Sequence, residues 1–313
     1  MQKNQKKTFA VYISITSNSI LVLAKIFVGL AIGSVAILSE AIHSAVDLLA
    51  SFIALFAVKE SAKPADTEHP FGHGKFENIS GAIEAFLIFV AGGWIIYESI
   101  KKLIDPSHIE NASLGVIVML ASAVINFFVS EYLIKVAKET DSIAVEADGW
   151  HLRTDVYTSA GVSFGLLIVL IGAKLFPSLE LSWVDPAIAI AVAVLILKAA
   201  YDLTRKSVSD LLDMSLPKNE EDIISTYIHS LLPEIRGFHN LKTRKSGGDR
   251  FIEFHIKFDP ETSVQRSHDI SHEISEQIKA RLADSNVIIH IEPCSESCNL
   301  NCDENCKYKK KNI

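Results

Sequence analysis

The chain lacks cysteine over its first 293 residues, so disulfides cannot hold that part together. Its four cysteines fall in the last 20 residues, at Cys294, Cys298, Cys302 and Cys306. Four thiols in a reducing compartment are typical of a site for zinc or another soft metal. The tail is therefore predicted to bind metal, with a disordered segment as the alternative.

The sequence also has no basic stripe and no protease motif. Its net charge is -7, and no cluster of Lys and Arg of the kind that binds nucleic acid stands out, so no nucleic-acid partner is expected. No HExxH string occurs, which removes the motif of an intramembrane zinc protease. Residues 1–7 are polar and basic without a small-residue cleavage site, so no removable signal peptide is expected.

Charged residues are scarce up to about residue 205, where long apolar runs dominate. A bilayer core of about 30 Å needs about 20 apolar helical residues to cross it, and six runs satisfy this length. The sequence predicts a membrane all-α six-helix domain over 1–207, a soluble domain over 208–293 and a Cys-rich tail over 294–313. The spans are predicted at 8–32, 35–58, 79–103, 112–137, 143–173 and 183–205.

Lysine and arginine are unevenly distributed between alternate ends of these spans. Positive charge accumulates on the cytoplasmic side of a membrane protein. Both termini are therefore predicted to lie in the cytoplasm, in a multi-pass protein of the inner (cytoplasmic) membrane. Only Lys101, Lys102 and Lys174 flank the other side, against Lys3, Lys6, Lys7, Lys59, Lys63, Lys75, Lys135, Lys138, Arg205 and Lys206 on the cytoplasmic side.

Two spans repeat one spacing of histidine and aspartate. Span two contains His43 and Asp47, and span five contains His151 and Asp155. Residues four apart share a helix face, so each pair presents an imidazole and a carboxylate together near mid-span. Two imidazoles and two carboxylates form a four-ligand set that suits tetrahedral zinc, and other first-row metals remain candidates. The alternative is a set of buried polar contacts that bridge helices.

The charge of this set fits ion exchange. Two aspartates neutralise one divalent cation, and two protonated histidines can balance the same carboxylates after the metal leaves. Zinc-for-proton antiport is the hypothesis that follows. A zinc sensor that signals without turnover is a second interpretation, and an enzyme, for which no motif is found, is a third. Ligands at membrane depth favour transport.

The loop between spans two and three holds a second group of metal-ligating residue types. Asp66, His69 and His73 have ligand-like spacing, and Gly72 and Gly74 let the backbone turn tightly around them. A metal site is predicted here, and a solvated polar loop is the alternative.

The pattern after residue 208 is that of a soluble α+β domain. Apolar residues recur at helical spacing in two segments and alternate with polar residues in others, and Gly247-Gly248 marks a hairpin turn. His255 falls on the polar face of its strand, and His290 and Glu292 share a face. The predicted order is αββαβ, with elements near 218–232, 239–245, 250–259, 263–284 and 287–292.

Three strings resemble the cation diffusion facilitator family, and within it the bacterial zinc and ferrous-iron efflux pumps. They are HSAVD at 43–47, HPFGHGKFE at 69–77 and EADGWHLRTD at 146–155. The resemblance extends over about residues 8–293. It implies a homodimer with six helices per subunit, a metallochaperone-like (ferredoxin-like) cytoplasmic domain, and alternating access driven by proton antiport.

The same resemblance implies the site residues. It places a charge interlock between the two domains on Lys75 and Asp213, with surface charges that never meet as the alternative. It also implies a two-metal cytoplasmic centre that tightens the dimer. The implied ligands are His43, Asp47, His151 and Asp155 for transport, Asp66, His69 and His73 in the loop, and His239, His255, His268, His290 and Glu292 in the cytoplasmic domain.

Two positions depart from the family pattern. Relatives often have Asp where this chain has His43, and the His-Asp-His-Asp set looks like that of zinc-selective members. Zn²⁺ is therefore expected as the transported and structural ion, with Cd²⁺ or Fe²⁺ as other candidates. Relatives commonly have Asp where this chain has Glu292, whose side chain is one methylene longer.

Overall fold

The computed structural model describes residues 3–32, 35–104, 113–175 and 183–294. The chain forms two compact units, the first ending at Val208 and the second beginning at Ser209. The first unit is built from six long helices, one at each predicted span. They are α1 (Lys3–Ile32), α2 (Val35–Ser61), α3 (Lys75–Ile104), α4 (Ser113–Thr140), α5 (Ile143–Leu175) and α6 (Val184–Leu211).

Several helices are longer than the predicted spans. The additions begin at Lys3 in α1 and at Lys75 in α3, and end at Leu211 in α6. The added residues are mostly polar or charged, and many of them are good helix formers. A prediction based on apolar runs leaves such residues out. It therefore starts α1 and α3 too late and ends α6 too early.

Five helices of the described residues, α1, α2, α3, α4 and α6, are long and apolar enough to cross a membrane. The sequence predicted six such spans. The sixth helix, α5, has 33 residues. Glu146, Asp148, Arg153 and Asp155 fall in its first half, and residues 156–173 contain no Asp, Glu, Lys or Arg. The polar residues of α5 therefore lie in one half of the helix, and an apolar segment occupies the other half.

Two clusters of buried apolar side chains hold these helices together. The first joins α1, α2, α4 and α5 and includes Leu133 and Leu152. The second joins α3, α5 and α6 and includes Ile88 and Ile196. Since α5 contributes to both, it lies at the centre of the unit. It approaches α4 closely at Gly149, where an added Cβ would lie 3.1 Å from the Leu133 side chain.

The outer surface of this unit is apolar and part of its interior is polar. Large apolar side chains such as Leu23, Phe27, Phe86 and Trp94 are exposed, as contact with lipid requires. In contrast, Asp47, Glu84, Asp148 and His151 are buried. Ionisable residues at membrane depth are costly and usually mark a pathway for ions.

A buried ion pair connects the ends of four helices. Lys7 Nζ lies 2.7 Å from Glu77 Oε1, and the two side chains are 7% and 1% exposed. Ser61 Oγ donates to the same carboxylate at 2.9 Å, and Ser142 Oγ donates to its other oxygen. These residues belong to α1, α3, α2 and the segment that leads into α5, so Glu77 joins all four.

The second unit has the predicted αββαβ order. Its elements are α7 (Lys218–His229), β1 (Gly237–Ser246), β2 (Asp249–Phe258), α8 (Val264–Arg281) and β3 (Ser285–Pro293). The strand order is β1-β2-β3, with β1 antiparallel and β3 parallel to β2. Gly247, with φ of 58°, forms the predicted hairpin turn, and α8 supplies the crossover that a parallel pair needs.

The core of this unit lies between one sheet face and the helices. The predicted apolar face of β2 and the predicted stripe of α8 are both buried, which confirms those patterns. The other face of β2 therefore carries the polar residues, including His255. The buried residues are Ile252, Phe254, Ile256 and Phe258 of β2 and Ile270, Ile274, Ile278 and Leu282 beside them.

Candidate functional site

The structure brings together all four residues predicted for the transport site. His151 Nε2 lies 3.0 Å from Asp47 Oδ1, and His43 Nε2 lies 3.9 Å from Asp155 Oδ1. Ligand atoms of His43, Asp47 and Asp155 all lie within 4.8 Å of one another. Zinc bonds of about 2.0–2.2 Å place neighbouring ligand atoms roughly 3–4 Å apart. The observed cluster is close to that spacing.

The two pairs connect α2 and α5 crosswise. His43 contacts Asp155, and Asp47 contacts His151, so the earlier residue of one helix meets the later residue of the other. This is the pattern of antiparallel helices that face each other. Each helix therefore supplies one imidazole and one carboxylate to a common centre.

A polar network that the sequence analysis missed lies beside this cluster. Ser51 Oγ donates to Asp148 Oδ1 at 2.8 Å. Asn18 Nδ2 donates to Ser51 Oγ at 3.1 Å, and Ser14 Oγ lies 3.0 Å from it. Ser51 follows Asp47 by one turn of α2. The signal in the sequence was the four-residue spacing of Ser14 and Asn18 within an apolar helix.

The loop residues form a second cluster. Asp66 Oδ1 lies 3.4 Å from His69 Nδ1, and Asp66 Oδ2 lies 3.3 Å from His73 Nε2. The His69 backbone N–H donates to Asp66 and lowers the pKa of that carboxyl below its usual value. His73 is buried, and its Nδ1 has no hydrogen-bond partner within the described residues. The grouped carboxylate and imidazole donors fit a bound metal.

The cytoplasmic cluster follows from the register of the sheet. His239 on β1 pairs with His255 on β2, which pairs with His290 on β3, so the three histidines form one row. Glu292 contacts all three. Its Oε1 lies 2.8 Å from His255 Nδ1 and 3.8 Å from His290 Nε2, and its Oε2 lies 3.4 Å from His239 Nε2.

The electrostatics of this cluster favour the metal-binding forms of its members. Burial lowers the pKa of His239 against the opposing effect of Glu292, so the imidazole stays neutral at neutral pH. Burial raises the pKa of Glu292, but the hydrogen bond with His255 and the three neighbouring imidazoles give a net lowering. A neutral imidazole and an ionised carboxylate are the forms that bind zinc. The carboxylate of Glu292, at the end of a side chain one methylene longer than that of Asp, lies within 3.8 Å of a nitrogen of each of the three histidines.

The remaining predicted residues are not brought into these clusters. His268 is exposed on α8, with its ring 6.4 Å from that of His272, and lies outside the group formed by His239, His255 and Glu292. Asp213 Oδ1 lies 3.3 Å from Arg244 in its own unit. Its interlock with Lys75 stays a prediction. Cys294 is buried, while Cys298, Cys302 and Cys306 lie outside the described residues.

Comparison with known families decides the identity of the chain. Residues 11–212 match the cation efflux transmembrane domain, and residues 216–294 match the cytoplasmic domain of cation efflux proteins. The chain belongs to the cation diffusion facilitator family. The second match, to the dimerisation module of these proteins, indicates homodimerisation.

Cation diffusion facilitator relatives align over most of their length. An uncharacterized transporter of Synechocystis is 35% identical over 261 residues, which cover 83% of this chain and 82% of that protein. The cation-efflux pump FieF of Klebsiella pneumoniae is 34% identical over 282 residues, which cover 88% and 89%. The metal-bound C-terminal domain of the CzcD transporter from Thermotoga maritima is 28% identical over 24% of this chain and 88% of that chain, with a TM-score of 0.23.

Membership in the cation diffusion facilitator family establishes the general activity. The chain is a membrane protein that transports divalent metal cations outward, and it is a transporter rather than an enzyme. Within the described residues, the cluster on α2 and α5 groups metal-ligating side chains inside the six-helix unit.

Replacing His255 with alanine should weaken metal binding at the cytoplasmic cluster. His255 occupies the middle of the row, and its loss removes both a ligand and the contact that holds Glu292. Loss of outer partners of a metal site costs about 10–100-fold in affinity, so loss of a ligand should cost more than about 100-fold. Competitive zinc titration of the full chain in detergent would measure this. His272→Ala, an exposed histidine outside the cluster, is the control and should leave the titration unchanged.

Proposed function

We propose that this chain exports Zn²⁺ from the cytoplasm in exchange for protons by alternating access. The observation that carries the proposal is the cluster of His43, Asp47, His151 and Asp155 between α2 and α5. Two imidazole nitrogens and two carboxylate oxygens suit tetrahedral zinc, and their charges neutralise a divalent ion. Cd²⁺ and Fe²⁺ are secondary substrates under this proposal, because nitrogen and oxygen donors also accept them.

Proton coupling follows from the chemistry of these ligands. Without metal, the cluster contains two carboxylates beside two imidazoles, and protonation of the imidazoles balances their charge. Zinc binds only neutral imidazole, so its arrival displaces those protons. Protons that return from the other side would then displace the metal there.

The placement of the chain supports export. The distribution of Lys and Arg favours an orientation with both termini and the second unit in the cytoplasm. The loop cluster and the cytoplasmic cluster would hold resident Zn²⁺ on that side, through Asp66, His69 and His73 and through His239, His255, His290 and Glu292. A homodimer held partly by the second unit is the proposed assembly.

Zinc uptake into proteoliposomes should depend on a pH gradient. With the vesicle interior acidic, metal entry is coupled to proton exit, and zinc uptake should exceed uptake without a gradient several-fold. An indicator dye inside the vesicles would report the zinc, and a pH dye would report the protons. Zinc flux that ignores the gradient would contradict antiport, and zinc binding without flux would favour a sensor.

A further inference from the structure

A third contact between α2 and α5 lies beside the two that form the transport cluster. Ser51 Oγ donates to Asp148 Oδ1 at 2.8 Å. Ser51 follows Asp47 by one turn of α2, and Asp148 precedes His151 by one turn of α5. Neither Ser51 nor Asp148 belongs to the four predicted ligands, so this contact does not have to break when an ion binds. Three side-chain contacts therefore join the two helices in a row, at His43–Asp155, Asp47–His151 and Ser51–Asp148.

The Ser51 hydroxyl uses all of its hydrogen-bonding capacity. A hydroxyl has one hydrogen to donate and two lone pairs that accept. Ser51 gives its hydrogen to Asp148, because the other acceptor within reach, the carbonyl oxygen of Asp47, lies farther away at 3.4 Å. It accepts from Asn18 Nδ2 at 3.1 Å, and Ser14 Oγ, at 3.0 Å, donates to the second lone pair. Ser14, Asn18, Ser51 and Asp148 form the Ser51 network, which ties α1 to both ligand-bearing helices.

The Ser51 network is shielded from water. Ser14, Ser51 and Asp148 are 0% exposed, and Asn18 is 3% exposed. Water cannot replace hydrogen bonds at such a place, and a buried hydroxyl with all its bonds made holds its neighbours in one arrangement. Next to Asp148, Gly149 lies so close to α4 that an added Cβ would be 3.3 Å from a backbone nitrogen of that helix. The first half of α5 is therefore bonded to α2 and closely packed against α4.

This restraint acts on the separation of the ligands. Asp47 Oδ1 and His151 Nε2 lie 3.0 Å apart, one turn from the Ser51 network. Zinc bonds of about 2.0–2.2 Å require ligand atoms roughly 3–4 Å apart. Cd²⁺ is a larger ion with longer bonds, so its ligand atoms lie farther apart, and α2 and α5 would have to separate to admit it. Selection between such ions depends on the geometry of the site as well as on its donor types.

We propose that Ser51 is a positioning residue that makes the transport cluster select Zn²⁺ over Cd²⁺. Its hydrogen bonds hold α2 and α5 at the separation that suits the smaller ion. Binding of the larger ion is then opposed by the Ser51 network, although the four ligands accept both metals. This proposal rests on the proposed function, which places the transported ion at His43, Asp47, His151 and Asp155, and it adds the residue that sets the size of that site.

The test compares zinc flux with cadmium flux in proteoliposomes at several metal concentrations. Ser51→Ala removes the bond to Asp148 and frees α2 and α5 to separate. The KM for zinc should rise about 10-fold, the lower end of the range for partners outside the ligand set, while the KM for cadmium changes less than about twofold. A purely structural loss would lower the maximal rates for both ions together and leave the ratio of their KM values unchanged.

Two further variants make this comparison decisive. Thr140→Val removes a buried hydroxyl whose printed bond is to the Val136 carbonyl of its own helix, so it should keep the wild-type selectivity. Ser14→Ala removes one bond to Ser51 and keeps the bond between Ser51 and Asp148. It should shift selectivity in the same direction by a smaller factor, and it replaces Ser51→Ala if that variant does not fold. Wild-type selectivity in the folded variants of Ser51 and Ser14 would overturn the proposal.

Failure of the proposed transport would be recognised separately. If wild-type vesicles carry no zinc, competitive binding of zinc and cadmium in detergent would be measured at the site that Asp155→Ala lacks. A lower preference for zinc in Ser51→Ala than in wild type would then support the positioning role without transport, and an equal preference would overturn it. Flux with unchanged selectivity would overturn the role of Ser51 and leave the transport intact.

Discussion

Asp155→Ala should abolish zinc flux in proteoliposomes. The substitution removes one of four ligands and one of the two negative charges that balance the divalent ion, and it leaves His43 without its carboxylate partner. Outer-shell changes at metal sites already cost about 10–100-fold, so the loss of this ligand should lower the initial rate more than about 100-fold. Indicator-dye flux under an imposed pH gradient would measure it.

The control for this variant is Asp202→Ala, which removes an exposed aspartate of α6 and should change the rate less than about twofold. The loop and cytoplasmic clusters remain intact in Asp155→Ala. Equilibrium binding should therefore show one metal ion fewer per chain rather than none. Undiminished flux in Asp155→Ala would show that the ion follows a different path.

Lys7→Met should destabilise the membrane unit strongly. Lys7 is the only cation that the described residues place on the Glu77 carboxylate, and both side chains are buried. Removing one member of a buried ion pair leaves an uncompensated charge and costs about 3–5 kcal/mol. The two serine donors to Glu77 should keep the loss near the lower end of that range. Thermal unfolding of the protein in detergent micelles would report the change.

The neighbouring residue provides a matched control. Lys6 pairs with Glu139, but both side chains are more than 40% exposed, and exposed pairs contribute about 0–1 kcal/mol. Lys6→Met should therefore unfold close to wild type. The double variant Lys7→Met/Glu77→Gln carries no buried charge at this position and should be more stable than Lys7→Met alone. A double variant that unfolds at a lower temperature than Lys7→Met would show that lost packing, and not the uncompensated charge, causes the destabilisation.

The sequence predicts the helices and the helix faces that carry the candidate transport ligands, because both depend on short-range periodicity. Apolar runs of membrane length locate the helices, and the four-residue spacing of His43 and Asp47, repeated at His151 and Asp155, puts each pair on one face. The contact between the ligand-bearing faces of α2 and α5 depends on how distant parts of the chain pack. The sequence indicated this contact because both helices carry the same His and Asp pair. The structure brings the four side chains together.

Other features could not be predicted from local pattern. The contact of Lys7 with Glu77 joins residues 70 apart, and Ser51 reaches Asp148 across 97 residues. No spacing rule relates such positions, since they depend on how α1, α2, α3 and α5 pack. His268 is a different case. Its assignment came from the family resemblance and not from a local pattern, and in the structure it lies outside the group formed by His239, His255 and Glu292.

A metal ion bound at the row of histidines across the sheet would favour one pairing of the strands. A one-residue slip of β3 against β2 would turn His290 and Glu292 toward the buried face. Only the native pairing keeps the donors together, so an ion that binds there stabilises that pairing alone. At a free concentration of about 100 times its dissociation constant, the bound ion adds about 2.7 kcal/mol to the native state. Metal supply would thereby select against misaligned sheets while the chain folds.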